Sequence, residues 1–308
     1  MIREKKLSPG RKKAIRESTG RKIFVVWNYL FFLLLILICA FPLYYILVQS
    51  LSGSIVAGKG ILVPYRFTFS NYRDVFRMEG ILDSLLISVS RTVIGTVITV
   101  FCCMLMGYLF TKEELPGRRF FYRMVTVTMY VSGGIIPTFL VIRMYGLINS
   151  FWVYVLPTAV SAYYIILIKT YIEGLPSSVE ESAMLDGAGP MTIFLRIIMP
   201  MSLPIAATIA VYASVYQWNS WFDNHIYTFT NNALTTMQYK LYKFLNQAER
   251  LAEQIESMSG DTSRLDNALT PQGVRMTVTV VAVIPVMMIY PFLQRYFIKG
   301  INIGAVKG

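Results

Sequence analysis

The stretch PSSVEESAMLDGAGPMTIFLRIIMPMSLP, residues 176–204, is the one polar and acidic interruption in a series of apolar segments of membrane length. Ser178 precedes Glu181 by the three-residue spacing of a capping box, in which each side chain satisfies a free backbone N–H group at a helix start. Gly187 tolerates a positive φ and therefore predicts the end of that helix. The sequence thus predicts a helix of about two turns followed by a sharp corner.

A second helix is predicted directly after the corner. Pro190 suits the first turn of a helix, because its missing N–H would have no intrahelical partner there. Ile197 and Ile198 would lie along one side of this helix before Pro200 and Pro204 bend or end it. The whole stretch therefore predicts two short helices joined by a corner and placed between apolar segments.

The spacing within residues 176–204 resembles the EAA loop of the membrane subunits of binding-protein-dependent ABC importers, whose pattern is E-A-A, three residues, G, nine residues, I-x-L-P. Here the pattern is Glu181-Ser182-Ala183, then Gly187, then IIMP at residues 197–200. Ser182 stands for the second alanine, and a methionine stands for the leucine. The longer string EESAMLDGA is similar to the carbohydrate-importer branch of this family.

In that family the first short helix is the coupling helix, which docks in a cleft of a separate cytoplasmic ATPase and transmits its closure to the membrane helices. The resemblance implies an ATPase-coupling role for Glu180, Glu181, Ser182, Ala183, Asp186, Gly187, Ala188, Ile197 and Pro200. The chain contains no G-x-x-x-x-G-K-[ST] sequence, so we expect it to bind no cofactor, with ATP and Mg²⁺ on the partner ATPase. The alternative interpretation is a solvated acidic connector.

The composition indicates a membrane protein rather than a soluble domain, and the resemblance implies a transport subunit that is not an enzyme. Of the 308 residues, 55% are hydrophobic and only 15% are charged, against about 25% charged in ordinary soluble domains. The net charge of +12 does not indicate nucleic-acid binding, because the basic residues gather at the ends of the apolar segments. The three cysteines lie inside apolar segments and His225 is the one histidine, so no metal site or His-based catalytic cluster is predicted.

Apolar segments predict an all-α membrane protein with six transmembrane helices, at about residues 25–48, 85–110, 121–142, 152–171, 203–221 and 276–297. The predicted regions are a basic tail (1–22), a first transmembrane helix (23–50), a transmembrane domain (71–298) with an external loop (223–272), and a short tail (299–308). The excess of Lys and Arg on the side of the tails predicts that both termini are cytoplasmic. The resemblance implies the type I ABC importer permease fold.

Several residues interrupt the predicted helices. Pro42 would kink the first helix, and Gly133-Gly134 with Pro137 would interrupt the third. Arg91 lies inside the second. A charge within a membrane helix is a candidate functional residue, whereas an arginine about two turns from the surface can extend its guanidinium to the interface. We favour this snorkelling interpretation, and the functional one stays open.

Aromatic and polar side chains on the fourth and fifth predicted helices are candidates for a sugar path. A sugar offers flat C–H faces and many hydroxyl groups, which suit aromatic planes beside amide and hydroxyl groups. The candidates are Tyr163, Tyr164, Tyr212, Tyr216, Gln217, Trp218 and Asn219. The alternative is that Trp218 belongs to an aromatic belt at the membrane interface, and that Tyr163 and Tyr164 only pack helices.

The sequence favours a permease subunit of an ATP-driven importer that moves a sugar or oligosaccharide across a bacterial-type cytoplasmic membrane. Residues 290–308 are similar to the ending of permeases for complex oligosaccharides. The resemblance implies as partners a second homologous permease, an ATPase homodimer or pair, a solute-binding protein that docks on the external loops, the sugar and the lipid bilayer.

Three alternatives are an importer of a non-sugar solute, an ion-coupled secondary transporter, and a membrane-embedded hydrolase or transferase. The secondary transporter is disfavoured because no Asp or Glu lies inside a predicted span, and the hydrolase or transferase because the spans contain no paired acids and no His cluster.

Overall fold

The computed structural model describes residues 19–53, 61–246, 273 and 275–288. Within these residues the protein is helical, and paired extended backbone is limited to an isolated bridge between Ser52 and Phe67. The described part of the chain is therefore all-α, as the sequence predicts.

The helices follow one another through short connections. In chain order they are α1 (Thr19–Ser50), α2 (Ser70–Arg77), α3 (Ile81–Leu109), α4 (Arg118–Val127), α5 (Ile135–Met144), α6 (Ala162–Glu173), α7 (Ser177–Leu185), α8 (Pro190–Met201), α9 (Leu203–Asn219), α10 (Phe222–Tyr227), α11 (237–246) and α12 (Arg275–Met288). Two 3₁₀ turns, Phe151–Tyr154 and Leu156–Thr158, precede α6, and α8 contains a π-helical turn at Phe194–Ile198.

Two described helices, α1 with 32 residues and α3 with 29, are long and apolar enough to cross a membrane. At 1.5 Å per residue they are roughly 48 and 44 Å long, against about 30 Å of hydrocarbon. Two pairs pass the same test only when taken together: the 3₁₀ turns with α6, bent by 48°, and α8 with α9, bent by 80°. By length and composition, the described part thus contains two spans, or up to four if each bent pair is one span.

The third predicted helix is divided. α4 ends at Val127, and α5 begins at Ile135 after a segment that includes Gly134 with a φ of 78°. Pro137 lies in the first turn of α5, where its missing N–H breaks no hydrogen bond. The interruption predicted at Gly133-Gly134 is therefore present. By contrast, α1 is assigned as one helix through Pro42.

Parts of the predicted organisation lie outside the described residues. They comprise the two tails apart from residues 19–22, the second half of the external loop and the end of the sixth predicted helix. The first half of the external loop is structured, because α10 and α11 lie within it. The sixth predicted helix begins as α12.

α3 is the central helix of the described bundle, and α6 and α9 pack along it. The close approach of α6 depends on Gly107. A Cβ atom there would lie 2.6 Å from Cγ2 of Ile168 and 3.3 Å from the backbone nitrogen of Lys169. Small residues let helix backbones approach closely in membrane proteins, where packing rather than water drives association.

We expect Gly107→Ala to destabilise the bundle, because the added methyl group meets backbone as well as a side chain and forces α3 and α6 apart. Overpacking of a core costs about 1–3 kcal/mol, which would lower the thermal unfolding temperature of the purified protein. Gly20→Ala in α1 is the matched control, since a Cβ there meets nothing within 4 Å. Equal unfolding temperatures for the two variants would contradict this packing.

Candidate functional site

The first helix of the acidic loop, α7, begins two residues earlier than a capping box at Ser178 requires. Pro176 is its N-cap residue, and no side chain caps the helix start. Ser178 therefore lies inside the first turn, where its carbonyl accepts a 2.7 Å hydrogen bond from the hydroxyl of Ser182. The predicted capping box is wrong, because proline occupies the position from which a serine side chain would cap. Glu180 in the first turn instead complements the helix dipole.

The end of α7 matches the prediction from Gly187. This glycine has a φ of 80°, and its N–H donates to the carbonyl of Met184 at 3.0 Å. The N–H of Ala188 donates to the carbonyl of Ala183, also at 3.0 Å. These two bonds form a Schellman motif, which satisfies the last carbonyls of a helix and turns the chain sharply.

The second helix, α8, begins at Pro190 as predicted and inserts its apolar side into the protein. Phe194 and Ile198 are fully or nearly buried, Ile197 is half-buried, and Pro200 is exposed. The Phe194 ring lies 5.4 Å from the ring of Tyr108 and packs against the end of α3. The loop is thus fastened to the central helix by its second half.

Glu180 adds a polar attachment at the same end of α3. Its Oε1 accepts a hydrogen bond from the hydroxyl of Tyr108 at 3.1 Å and forms an ion pair with Lys112. The Lys112 ammonium also lies 4.4 Å from the centre of the Tyr108 ring. The side chains of Glu180 and Lys112 are mostly buried, so this contact is shielded from solvent and couples α7 to α3.

The other face of α7 is free in the described part of the chain. Leu185 is 90% exposed at the tip of the helix, and Met184 is half exposed. Glu181 and Asp186 are exposed beside them, and neither carboxylate has an ion-pair partner among the described residues. An apolar tip with two free acids is suited to a partner surface that offers an apolar pocket and basic residues.

Four of the sugar-path candidates meet at one pocket of about 380 Å³. Tyr163, Tyr164, Tyr216 and Gln217 line it together with Thr99, Pro157, Thr158, Val160, Ser161 and Ala213. Tyr212 lies beside the pocket and stacks on Tyr164, with ring centres 6.4 Å apart. Aromatic rings and a few fixed polar groups are what a sugar pocket requires.

Trp218 and Asn219 lie elsewhere. The Trp218 indole is buried and its Nε1 donates to the carbonyl of Ala282 at 2.8 Å, so it joins α9 to α12. Asn219 is exposed, and its Oδ1 accepts from Gln238 at 3.4 Å. Neither side chain lines the pocket, and Trp218 does not stand in an interfacial belt.

Arg91 is fully buried and forms an ion pair with Asp223 at 2.5 Å. Its guanidinium also donates to Oε1 of Gln217 and to the carbonyl of Ser220, and it stacks 4.4 Å over the ring of Tyr154. The snorkelling interpretation is therefore wrong. A buried arginine must be paired, and the partner comes from α10, just beyond the end of α9.

The pocket lies between the two polar attachments of α3. At 1.5 Å per residue along the helix, Thr99 is roughly 12 Å from Arg91 and roughly 14 Å from Tyr108. One long helix thus contacts the acidic loop at one end, the pocket near its middle and the Arg91 ion pair towards its other end.

Sequence reasoning missed Tyr108, Lys112 and Thr158. Lys112 follows the end of α3 at Leu109, so helical spacing gives no signal for its contact with Tyr108. Thr158 gave no signal, since only the 3₁₀ turn places it beside Gln217.

Comparisons with known proteins show the family of the chain. Residues 100–303 match the model of the family described as binding-protein-dependent transport system inner membrane component. The chain belongs to this family. It is 38% identical to the polygalacturonan/rhamnogalacturonan transport system permease YtcP of Bacillus subtilis, over 93% of this chain and 99% of that protein. LplC of the same organism is 34% identical over 96% of this chain and 98% of its own length.

A solved structure gives the same result. The crystal structure of a bacterial ABC transporter that imports the acidic polysaccharide alginate contains a chain with a TM-score of 0.78 and 27% identity to this protein. The match covers 91% of this chain and 99% of that one. The protein is therefore a membrane-integral permease of an ABC transport system, a transport component rather than an enzyme. An ion-coupled mechanism is not favoured.

Family membership also gives general partners, namely a binding protein, an ATPase and a second permease. No group of three metal-binding side chains occurs in the part of the chain that the structure describes.

The two neighbouring carboxylates of α7 are expected to differ in their effect on stability. Glu180→Gln removes the charge that pairs with Lys112 and leaves a mostly buried ammonium without its counter-charge, which would cost roughly 1–3 kcal/mol. Glu181→Gln is the matched control, because that side chain is exposed and unpaired among the described residues. Thermal unfolding of the purified protein measures the difference, and an equal loss for both variants would refute the attachment.

Proposed function

We propose that this chain is one of two different permease subunits of an oligosaccharide importer in a bacterial cytoplasmic membrane, with six transmembrane helices in the type I arrangement and both termini in the cytoplasm. The observation that supports this most is the α7–α8 loop, which is fastened to α3 and presents an exposed tip. Two spans, and up to four if the bent pairs are counted, lie in the described residues. The other transmembrane helices of the proposed six are inferred from the apolar segments of the sequence.

α7 lies on the cytoplasmic side in this proposal. The excess of Lys and Arg in the N-terminal tail and around residues 112–123 supports that side. The Arg91 end of α3 and the helices α10 and α11 then face outwards. They are placed to contact a solute-binding protein that delivers the sugar.

The movement of the ATPase would reach the membrane helices through the contacts of α7. Closure of an ATPase pair, which carries ATP and Mg²⁺, would move the exposed tip formed by Met184, Leu185 and Asp186. Glu180 and Phe194 would carry that movement to Tyr108 and so to α3. The partner's closed state favours one arrangement of the bundle over the other, which is a population shift driven by differential contacts.

The proposed cargo is an oligosaccharide that contains acidic sugars. The relative that imports polygalacturonan and rhamnogalacturonan is 38% identical over almost the whole chain, and the structural neighbour imports the acidic polysaccharide alginate. The pocket between α3, α6 and α9 supports a sugar, because tyrosine rings lie beside amide and hydroxyl groups. Tyr163, Tyr164, Tyr216 and Gln217 would line this chain's half of the path, with Tyr212 supporting Tyr164.

Opposite charge on the tip of α7 should uncouple the importer. In the complete importer reconstituted in vesicles, we expect Glu181→Lys to abolish both sugar uptake and the ATP hydrolysis stimulated by the loaded binding protein, since the tip no longer fits a basic cleft. Glu114→Lys is the matched control, an exposed acid on the same side of the bundle. Uptake and stimulated hydrolysis that persist in Glu181→Lys would contradict the coupling role.

The cargo is tested with a panel of sugars in the same vesicles. We expect uptake of galacturonate oligomers to exceed uptake of arabino-oligosaccharides and trehalose. Preference for either neutral sugar would keep the permease role and refute the acidic cargo.

A further inference from the structure

We propose that Arg91 is a positioning residue for the sugar pocket: held by Asp223, it fixes the amide of Gln217 so that an N–H group faces the pocket. The proposal rests on the proposed function, because it takes the pocket between α3, α6 and α9 as part of the sugar path. It adds a role for a buried ion pair that the coupling mechanism does not use.

Arg91 itself has no donor left for a ligand. An arginine carries five N–H donors. Nε and one terminal nitrogen donate to Oε1 of Gln217 at 3.3 and 3.1 Å, and the terminal nitrogens also donate to both Asp223 oxygens and to the Ser220 carbonyl at 2.5 to 3.2 Å. The ring of Tyr154 covers its face. Any effect of Arg91 on a sugar must therefore pass through another side chain.

Gln217 is that side chain, and chemistry fixes which way its amide points. The guanidinium offers donors only, so the amide oxygen must face it. The amide nitrogen is then directed to the opposite side, where it donates to the hydroxyl of Thr158 at 2.8 Å. Because the NH₂ group has two hydrogens, one N–H remains beside the pocket that Gln217 lines. This donor suits a sugar hydroxyl or carboxylate oxygen.

Gly95 makes room for this arrangement. A Cβ atom on Gly95 would lie 2.6 Å from Nε2 and 2.7 Å from Cδ of Gln217. The obstructed atoms belong to the end of a flexible side chain, so Gly95→Ala would displace the amide and spare the backbone. Arg91 therefore holds the amide oxygen of Gln217 by hydrogen bonds, and the absence of a side chain at Gly95 leaves space for the amide nitrogen.

The test is equilibrium binding of labelled trigalacturonate to the purified importer without its binding protein. We expect Gln217→Ala to weaken binding about tenfold, the effect of one lost hydrogen bond. Arg91→Lys, which keeps the charge opposite Asp223 but loses the forked donors, should weaken binding by a similar factor. In the double variant the two effects should not add, because Arg91 acts only through Gln217.

Gly95→Ala provides a second route that leaves the ion pair intact, and it should also weaken binding several-fold. Gly20→Ala is its matched control and should bind as the unmodified protein does. Thermal unfolding of each variant separates a lost amide orientation from a lost fold, since Gly95→Ala should unfold within a few degrees of the control.

Two results would overturn the proposal, and only the second would also contradict the proposed sugar path. One result is that Gln217→Ala weakens binding but Arg91→Lys and Gly95→Ala do not, or that the effect of Arg91→Lys adds fully to that of Gln217→Ala. Positioning by Arg91 is then refuted, and the proposed sugar path is unaffected. If Gln217→Ala itself leaves binding unchanged, the pocket is not on the path, and both proposals about it fall.

Discussion

The bundle depends on how closely other helices approach α3. Gly107 lets α6 pack against it, and Gly95 admits the side chain of Gln217 from α9. In lipid there is no water to drive helices together, so such close contacts supply the association. α3 reaches from the acidic loop to the opposite end of the bundle, so the contacts at both ends are made by one continuous helix.

The buried ion pair shows a second constraint. Removing Arg91 and Asp223 from water is costly, and their attraction repays that cost only when the remaining donors are satisfied. Gln217, the Ser220 carbonyl and the Tyr154 ring complete the arrangement. The ion pair joins α3 to α10, and the hydrogen bonds from Arg91 to Gln217 join α3 to α9. These contacts fix how the three helices align with one another, which is the best-attested role of buried charged groups.

The sequence predicts the acidic loop well because its signals are local. Gly187 and Pro190 act on their own backbone, so their effects appear whatever surrounds them. The capping box failed for an equally local reason, since Pro176 took the N-cap position. The partner of Arg91 could not be predicted, because Asp223 is 132 residues away and belongs to a segment whose composition indicates an external loop. Contacts between residues so far apart in the chain are set by packing, and the spacing of residues in the sequence does not reveal them.

We propose that the tip of α7 contacts a separate ATPase. The most direct test of this contact is Leu185→Cys in the assembled importer, with Cys39, Cys102 and Cys103 replaced by alanine, treated with a short bifunctional thiol reagent. We expect a cross-link from position 185 to the ATPase and none from Asn232→Cys, because Asn232 is exposed at the other end of the bundle. No cross-link from position 185, with one from position 232 to the ATPase, would contradict it.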